Sequence, residues 1–185
     1  MNKFLNAVLI AAALGLALPA SAQRGNPAAR TSPHETISAV VSGDRITITY
    51  GRPYSKDPRS AEIRKIWGAL VPWDKAWRMG SDEATTLITQ QDLAIGDATI
   101  PAGVYTLYMV PSEHGTSKLA FSKTLGGWGI PVDEKHDLVR VDLKKDAAPA
   151  QVDQFTMAVK SAGGGGQIVM TWENTQYSVA FTIKK

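Results

Sequence analysis

From residue 34 onward, apolar and polar side chains alternate in short runs, the period-two signature of half-buried strands. Ile46, Ile48 and Tyr50 fall on one face of residues 45–50, and Thr47 and Thr49 on the other. Residues 36–42 precede them across Gly43-Asp44, a hairpin signal. Further strands are expected over 85–90, 92–95, 104–110, 118–122, 138–143, 154–160, 167–172 and 177–183. Residues 104–110 are apolar on both faces, which predicts a central position. Ile168, Met170 and Trp172 share a face, as do Tyr177, Val179, Phe181 and Ile183; Asn174-Thr175 marks the expected reversal between them. The glycine tract 163–166 is expected to be the hairpin loop before that pair. The fold class implied is mainly β, an antiparallel sandwich or open barrel of about eight to ten short strands. Short helices are expected only over 60–67 and 72–77.

One stretch breaks the alternation. Residues 51–84 form a long loop or short-helix insertion that carries Trp67, Trp73 and Trp77, three of the five tryptophans. Residues 51–80 hold seven basic side chains against three acidic ones. Long non-strand insertions in compact domains tend to cover a sheet end or build a site. Tryptophan offers a flat face for a sugar ring, an aromatic group or a cation. Arginine offers a planar fork of donors for a carboxylate, phosphate or sulfate. The candidate ligand-binding residues are therefore Arg52, Trp73, Trp77, Arg78, Asp82 and Glu83. The competing reading is structural: tryptophans that cap the core, and Arg52 or Arg78 bonded to Glu83 as an internal strut.

Several motifs carry a resemblance. Tyr50-Gly51-Arg52-Pro53, Ile66-Trp67-Gly68, Leu70-Val71-Pro72-Trp73, Trp77-Arg78-Met79-Gly80-Ser81-Asp82-Glu83-Ala84-Thr85, Pro101-Ala102-Gly103-Val104-Tyr105 and Trp128-Gly129 resemble the signature of exported bacterial proteins of domain-of-unknown-function family 2911. The likeness runs from about Ser32 to the C-terminus. The family pattern has Asn at the position of Asp82, Tyr at that of Trp73, and a shorter link where residues 55–62 stand. The resemblance implies an exported, single-domain, β-rich protein and no particular activity.

The N-terminus reads as an export signal. Lys3 supplies a positive start, residues 7–18 are apolar, Pro19 ends the run, and Ala20-Ser21-Ala22 offers small residues for cleavage. Twelve apolar residues fall short of the roughly 20 that span a bilayer. The expected organisation is a cleaved signal peptide over 1–22, a flexible leader over 23–33 and one β-rich domain over 34–185. The expected location is periplasmic or secreted, with no stable membrane insertion after cleavage. Removing Lys3 takes the formal charge from +3 to +2, too weak for a nucleic-acid surface. The chain has no cysteine, which excludes disulfides, thiolate metal sites and a cysteine nucleophile.

Catalytic signals are sparse. His34, His114 and His136 form no local metal motif, and Asp133-Glu134-Lys135-His136-Asp137 reads as a solvated turn lacking calcium-loop spacing. No Gly-x-Ser-x-Gly elbow or Ser-x-x-Lys pair occurs. Gly126-Gly127-Trp128-Gly129 reads as a turn with its tryptophan on a sheet edge. Asp82 and Glu83 would point to opposite sides of an extended chain. No cofactor and no metal is expected. The leading reading is a binding module for a small anionic or carbohydrate-like ligand. An envelope protein-interaction domain with an internal Arg–Glu strut is the alternative. A hydrolase-like enzyme using Glu83 as general acid or base comes third.

Overall fold

The alternating runs fold into ten strands. They are β1 (His34–Val41), β2 (Asp44–Gly51), β3 (Thr85–Thr89), β4 (Leu93–Ile95), β5 (Ala98–Ile100), β6 (Gly103–Val110), β7 (Lys118–Ser122), β8 (Asp137–Asp142), β9 (Lys144–Ala162) and β10 (Gly165–Ile183). The computed structural model describes Arg30 and residues 32–184; the expected signal peptide and most of the expected leader lie outside the described residues. Two open antiparallel sheets result, one of six strands in the order β1-β2-β3-β6-β7-β8 and one of four in the order β5-β4-β10-β9. The expected β-sandwich is thus the observed fold class, and β6 lies inside the larger sheet as its two apolar faces require.

The inner faces of the two sheets make one core. Ile46, Ile48, Leu87, Leu107, Leu119 and Phe121 from the larger sheet meet Phe155, Met157, Ile168, Met170, Trp172 and Phe181 from the smaller. Burying such side chains stabilises by roughly 1.5–3 kcal/mol each, the chief favourable term in a chain with no cross-link. Asp44 and Tyr50 carry paired polar groups into this interior. Asp44 is fully buried, and its carboxylate accepts from Thr89 Oγ1 at 2.7 Å and from Gln90 N at 2.9 Å. Tyr50 Oη donates to Glu35 at 2.6 Å and accepts from Met157 N at 2.9 Å, joining the two sheets.

Local details differ from the sequence expectations in three places. The first hairpin turns at Ser42-Gly43, both in the left-handed region, and Asp44 already belongs to β2. Residues 60–67 and 72–77 form irregular chain with turns and isolated bridges, not helices; the described helical element is a 3-10 turn at Glu134–His136. Segments that short do not offset helix nucleation. Their backbone finds partners elsewhere: Trp77 and Met109 exchange N–H···O bonds of 2.7 and 2.9 Å, and Asp74 N donates to Pro111 O at 2.7 Å. Finally, Asn174-Thr175 is no reversal. β10 runs unbroken through it, paired to β9 on both sides of register shifts at Glu173. Glu173 has φ +53, and the irregularity moves the buried face from Ile168, Met170 and Trp172 to Tyr177, Val179 and Phe181. The expected turn within the glycine tract is observed, at Gly163-Gly164 between β9 and β10.

Candidate functional site

The insertion between β2 and β3 is tied to the sandwich first by its backbone. Phe155 N donates to Pro53 O at 2.9 Å, and Ser55 N donates to Asp153 O at 2.6 Å. Arg52 stands at this seam. Its Nη2 donates to Thr156 Oγ1 at 2.9 Å, its Nε to Phe155 O at 3.3 Å, and Nε lies 3.3 Å from Glu35 Oε2. Arg52 therefore bridges β1 and β9, and its carboxylate partner is Glu35, not Glu83.

The insertion's tryptophans pack on one another and on the core. Trp67 stacks on Trp73 at 6.1 Å between centroids, and Trp77 stacks on Trp172 at 5.8 Å. Phe155 meets Trp77 edge-on at 5.1 Å, and Trp67 meets Tyr177 at 5.2 Å. Such pairs add about 0.5–1.5 kcal/mol each beyond area burial. Gly68 has φ +81, and a Cβ there would stand 2.6 Å from Trp73 Nε1, so glycine is what admits the stack. Lys145 Nζ lies 5.1 Å above the Trp73 ring, a cation–π contact.

Beside this cluster opens a cleft of about 420 Å³, with Tyr54, Arg64, Trp77, Arg78, Asp82 and Trp172 in its walls. Three of the six sequence candidates line it: Trp77, Arg78 and Asp82. Arg52, Trp73 and Glu83 do not. Arg64 Nη2 donates to Tyr54 O, while its Nε is buried with no partner among the described residues. Arg78 Nη1 donates to Asp82 O at 2.8 Å and to Trp128 O at 2.9 Å, and Nε reaches Gly80 O at 3.4 Å. These carbonyls occupy three of five donors. Burial lowers the Arg78 pKa against the opposing pull of Asp82; a guanidinium stays charged under such a shift. The acidic groups in the walls are engaged. Asp57 accepts from Arg59 N at 2.8 Å, and those backbone bonds hold its pKa below the ordinary value. Asp82 Oδ2 lies 3.1 Å from His34 Nε2.

Asp82 and Glu83 converge. Asp82 has φ +63, so the chain is not extended there, and His34 Nε2 meets Asp82 Oδ2 at 3.1 Å and Glu83 Oε2 at 3.5 Å. Glu83 also pairs with Arg30, in the stretch expected as a flexible leader. Neither Arg52 nor Arg78 forms the expected bond to Glu83. Among the described residues no group of three or more His, Cys, Asp or Glu is arranged to hold a metal ion.

Sequence reasoning missed Tyr54, Arg64 and Trp172 as cleft residues. Arg64 had a signal, as one of the seven basic side chains of the insertion. Tyr54 and Trp172 had none, because their place in the cleft depends on how the insertion meets β10.

The profile of a protein family of unknown function, DUF2911, matches residues 32–181. No curated protein and no solved structure matches the chain. Among the described residues no helix is long and apolar enough to cross a membrane.

Proposed function

The chain belongs to the DUF2911 family of proteins of unknown function, and from its geometry we propose a binding module for a small ligand that joins an anionic group to a flat or sugar-like ring. One observation carries the reading. Two guanidinium groups, Arg64 and Arg78, line a single cleft beside Trp77 and Tyr54, and neither has a carboxylate partner among the described residues. Arginines kept partly out of water for structure alone are usually paired with acids. Here they bond to backbone carbonyls, and their remaining N–H groups suit a carboxylate, phosphate or sulfate. The aromatic walls supply the face for the ring. Read together with the signal-like residues 1–22, the module works outside the cytoplasm.

The second reading, a protein-interaction domain, rests on Ile63 and Leu70, which the insertion leaves 78% and 43% exposed. Catalysis by Glu83 ranks below both, since that carboxylate pairs with Arg30 and lies outside the cleft walls.

Thermal unfolding against phosphate, sulfate, benzoate and glucuronate tests the proposal. A probe at about 100 times its dissociation constant stabilises by roughly 2.7 kcal/mol, or about 5–10 °C in a chain this size. Arg64→Gln is expected to abolish that shift and leave the unliganded melting temperature within about 2 °C, because its side chain stands at the cleft rather than in the core. Shifts that persist in Arg64→Gln, or no shift with any probe, would move the assignment to the interaction domain.

A further inference from the structure

The outer face of the larger sheet carries a second cavity, which shares only Arg78 and Ile130 with the tryptophan cleft. It measures about 230 Å³. Its floor is Thr106 and Tyr108 of β6 and Ser122 of β7. The loop of residues 124–133, with Trp128, Ile130 and Pro131, forms the opposite lining as its roof, and Arg78 also lines the cavity. This volume exceeds several times the ~30 Å³ share of one water.

The floor is polar and incompletely paired. Thr106 Oγ1 is buried with no hydrogen-bond partner among the described residues. An unpaired buried hydroxyl is destabilising, so one beside a cavity calls for a partner from outside the chain. Ser122 Oγ accepts from Thr124 N at 3.3 Å, and no protein acceptor takes its own proton among the described residues. Tyr108 Oη donates to Asp137 at 2.5 Å and accepts from Arg140 at 2.7 Å, so toward the cavity it can only accept. The Arg78 cation and the Asp133 carboxylate both line the same space. A charged ligand would therefore be attracted by one and repelled by the other.

We propose that this cavity is a second binding site, for a small uncharged polyhydroxylated ligand of one-ring size such as a monosaccharide. A sugar hydroxyl both donates and accepts, which matches a floor of Thr106, Ser122 and acceptor-only Tyr108. The C–H face of the ring matches the apolar roof of Trp128, Ile130 and Pro131. The site stands apart from the anion-binding reading of the cleft and shares Arg78 and Ile130 with its walls.

Saturation-transfer NMR with D-glucose, D-galactose, N-acetyl-D-glucosamine and myo-inositol tests this on the intact protein. At least one probe is expected to receive magnetisation. Thr106→Val is expected to weaken its binding by about tenfold, the worth of one hydrogen bond, while the unliganded melting temperature holds or rises because an orphaned hydroxyl has gone. Arg64→Gln, in the cleft, is expected to leave the same binding intact. If Thr106→Val does not fold, Ser122→Ala serves the same comparison. Transfer to none of the four probes, binding that survives both substitutions, or binding that Arg64→Gln removes would each overturn the second site.

Discussion

Two irregular segments flank the larger sheet, and they are built on opposite principles. Residues 52–84 send Ile66, Val71 and Met79 into the core at 2%, 0% and 0% exposure, and add Trp67 and Trp77 to the aromatic cluster. None of residues 123–136 is buried, and Leu125 and Ile130 are more than half exposed. The first segment is part of the interior; the second is a cover laid over a hollow. Arg78 joins them, donating to Gly80 and Asp82 on one side and to Trp128 on the other. Both segments read locally as loops with tryptophan and glycine. What separates them is how much apolar area each removes from water, and so how much folding free energy each supplies.

The strongest way to break the contrast is to remove one aromatic from the cluster that the first segment packs into and one from the cover. Trp172→Ala takes away the ring that stacks on Trp77 and meets Phe155 at 5.8 Å. It is expected to cost about 3–5 kcal/mol, read as a fall of roughly 6–20 °C in melting temperature. Trp128→Ala, on the cover, is expected to cost about 1 kcal/mol, the value of a partly buried ring. Equal losses would erase the distinction between interior and cover.

A pH series sharpens it next. Burial and the neighbouring Glu35 carboxylate push the Tyr50 phenol well above its ordinary range, on the core side. Burial and Asp137 do the same to Tyr108, beneath the cover. Above pH ~10 the unfolded chain loses these protons while the native protein keeps them. The unfolded state then binds fewer protons, so stability present below that pH is lost as pH rises toward the native values. The stability is expected to be flat near pH 8 and its slope to approach about 1.4 kcal/mol per pH unit for each tyrosine above pH ~10, measured by urea unfolding from about pH 8 to 11. Tyr50→Phe and Tyr108→Phe should each remove one share. A Tyr108→Phe variant with an unchanged slope would show that water reaches the phenol under the cover.

The smallest effect concerns the cover's own backbone. Gly129 has φ +72, and a Cβ there would lie 3.1 Å from Ala84 Cα and 3.2 Å from Arg78 Cβ. Gly126 has φ +78 with nothing within 4 Å. Gly129→Ala is expected to cost about 1–2 kcal/mol and Gly126→Ala about half that, since only the first adds a clash to the left-handed strain. Calorimetric melting of the two variants gives the comparison. The reverse order would mean that the seam between Arg78 and the cover is looser than its hydrogen bonds require.

Legibility followed the range of the interactions involved. The alternation of Ile46, Ile48 and Tyr50 was readable because period two is a local property, and so was the central position of β6. Asn174 misled because a change of face looks the same in sequence whether a strand turns back or slips register against a neighbour. The helix expected over 72–77 failed because Pro111 and Met109 supplied backbone partners from far along the chain, and the one over 60–67 because its backbone bonds locally to Ser55, Asp57 and Val71. Three of the six candidate site residues, Trp77, Arg78 and Asp82, line the cleft. Arg52 was drawn to Glu35 and Thr156, and Glu83 to His34 and Arg30, by neighbours that no local pattern names.

The sequence by itself determined a mainly β, antiparallel fold, most strand positions, the glycine hairpin and the segment in which tryptophan and arginine gather. These follow from side-chain period, turn chemistry and composition, each of which acts over a few residues. The tertiary structure alone decided which arginines keep unpaired donors, that Asp82 and Glu83 meet at one histidine, and that a hollow remains between β6, β7 and the Trp128 loop. Those features arise where segments distant in sequence come into contact, and burial and pairing there depend on every partner's position at once.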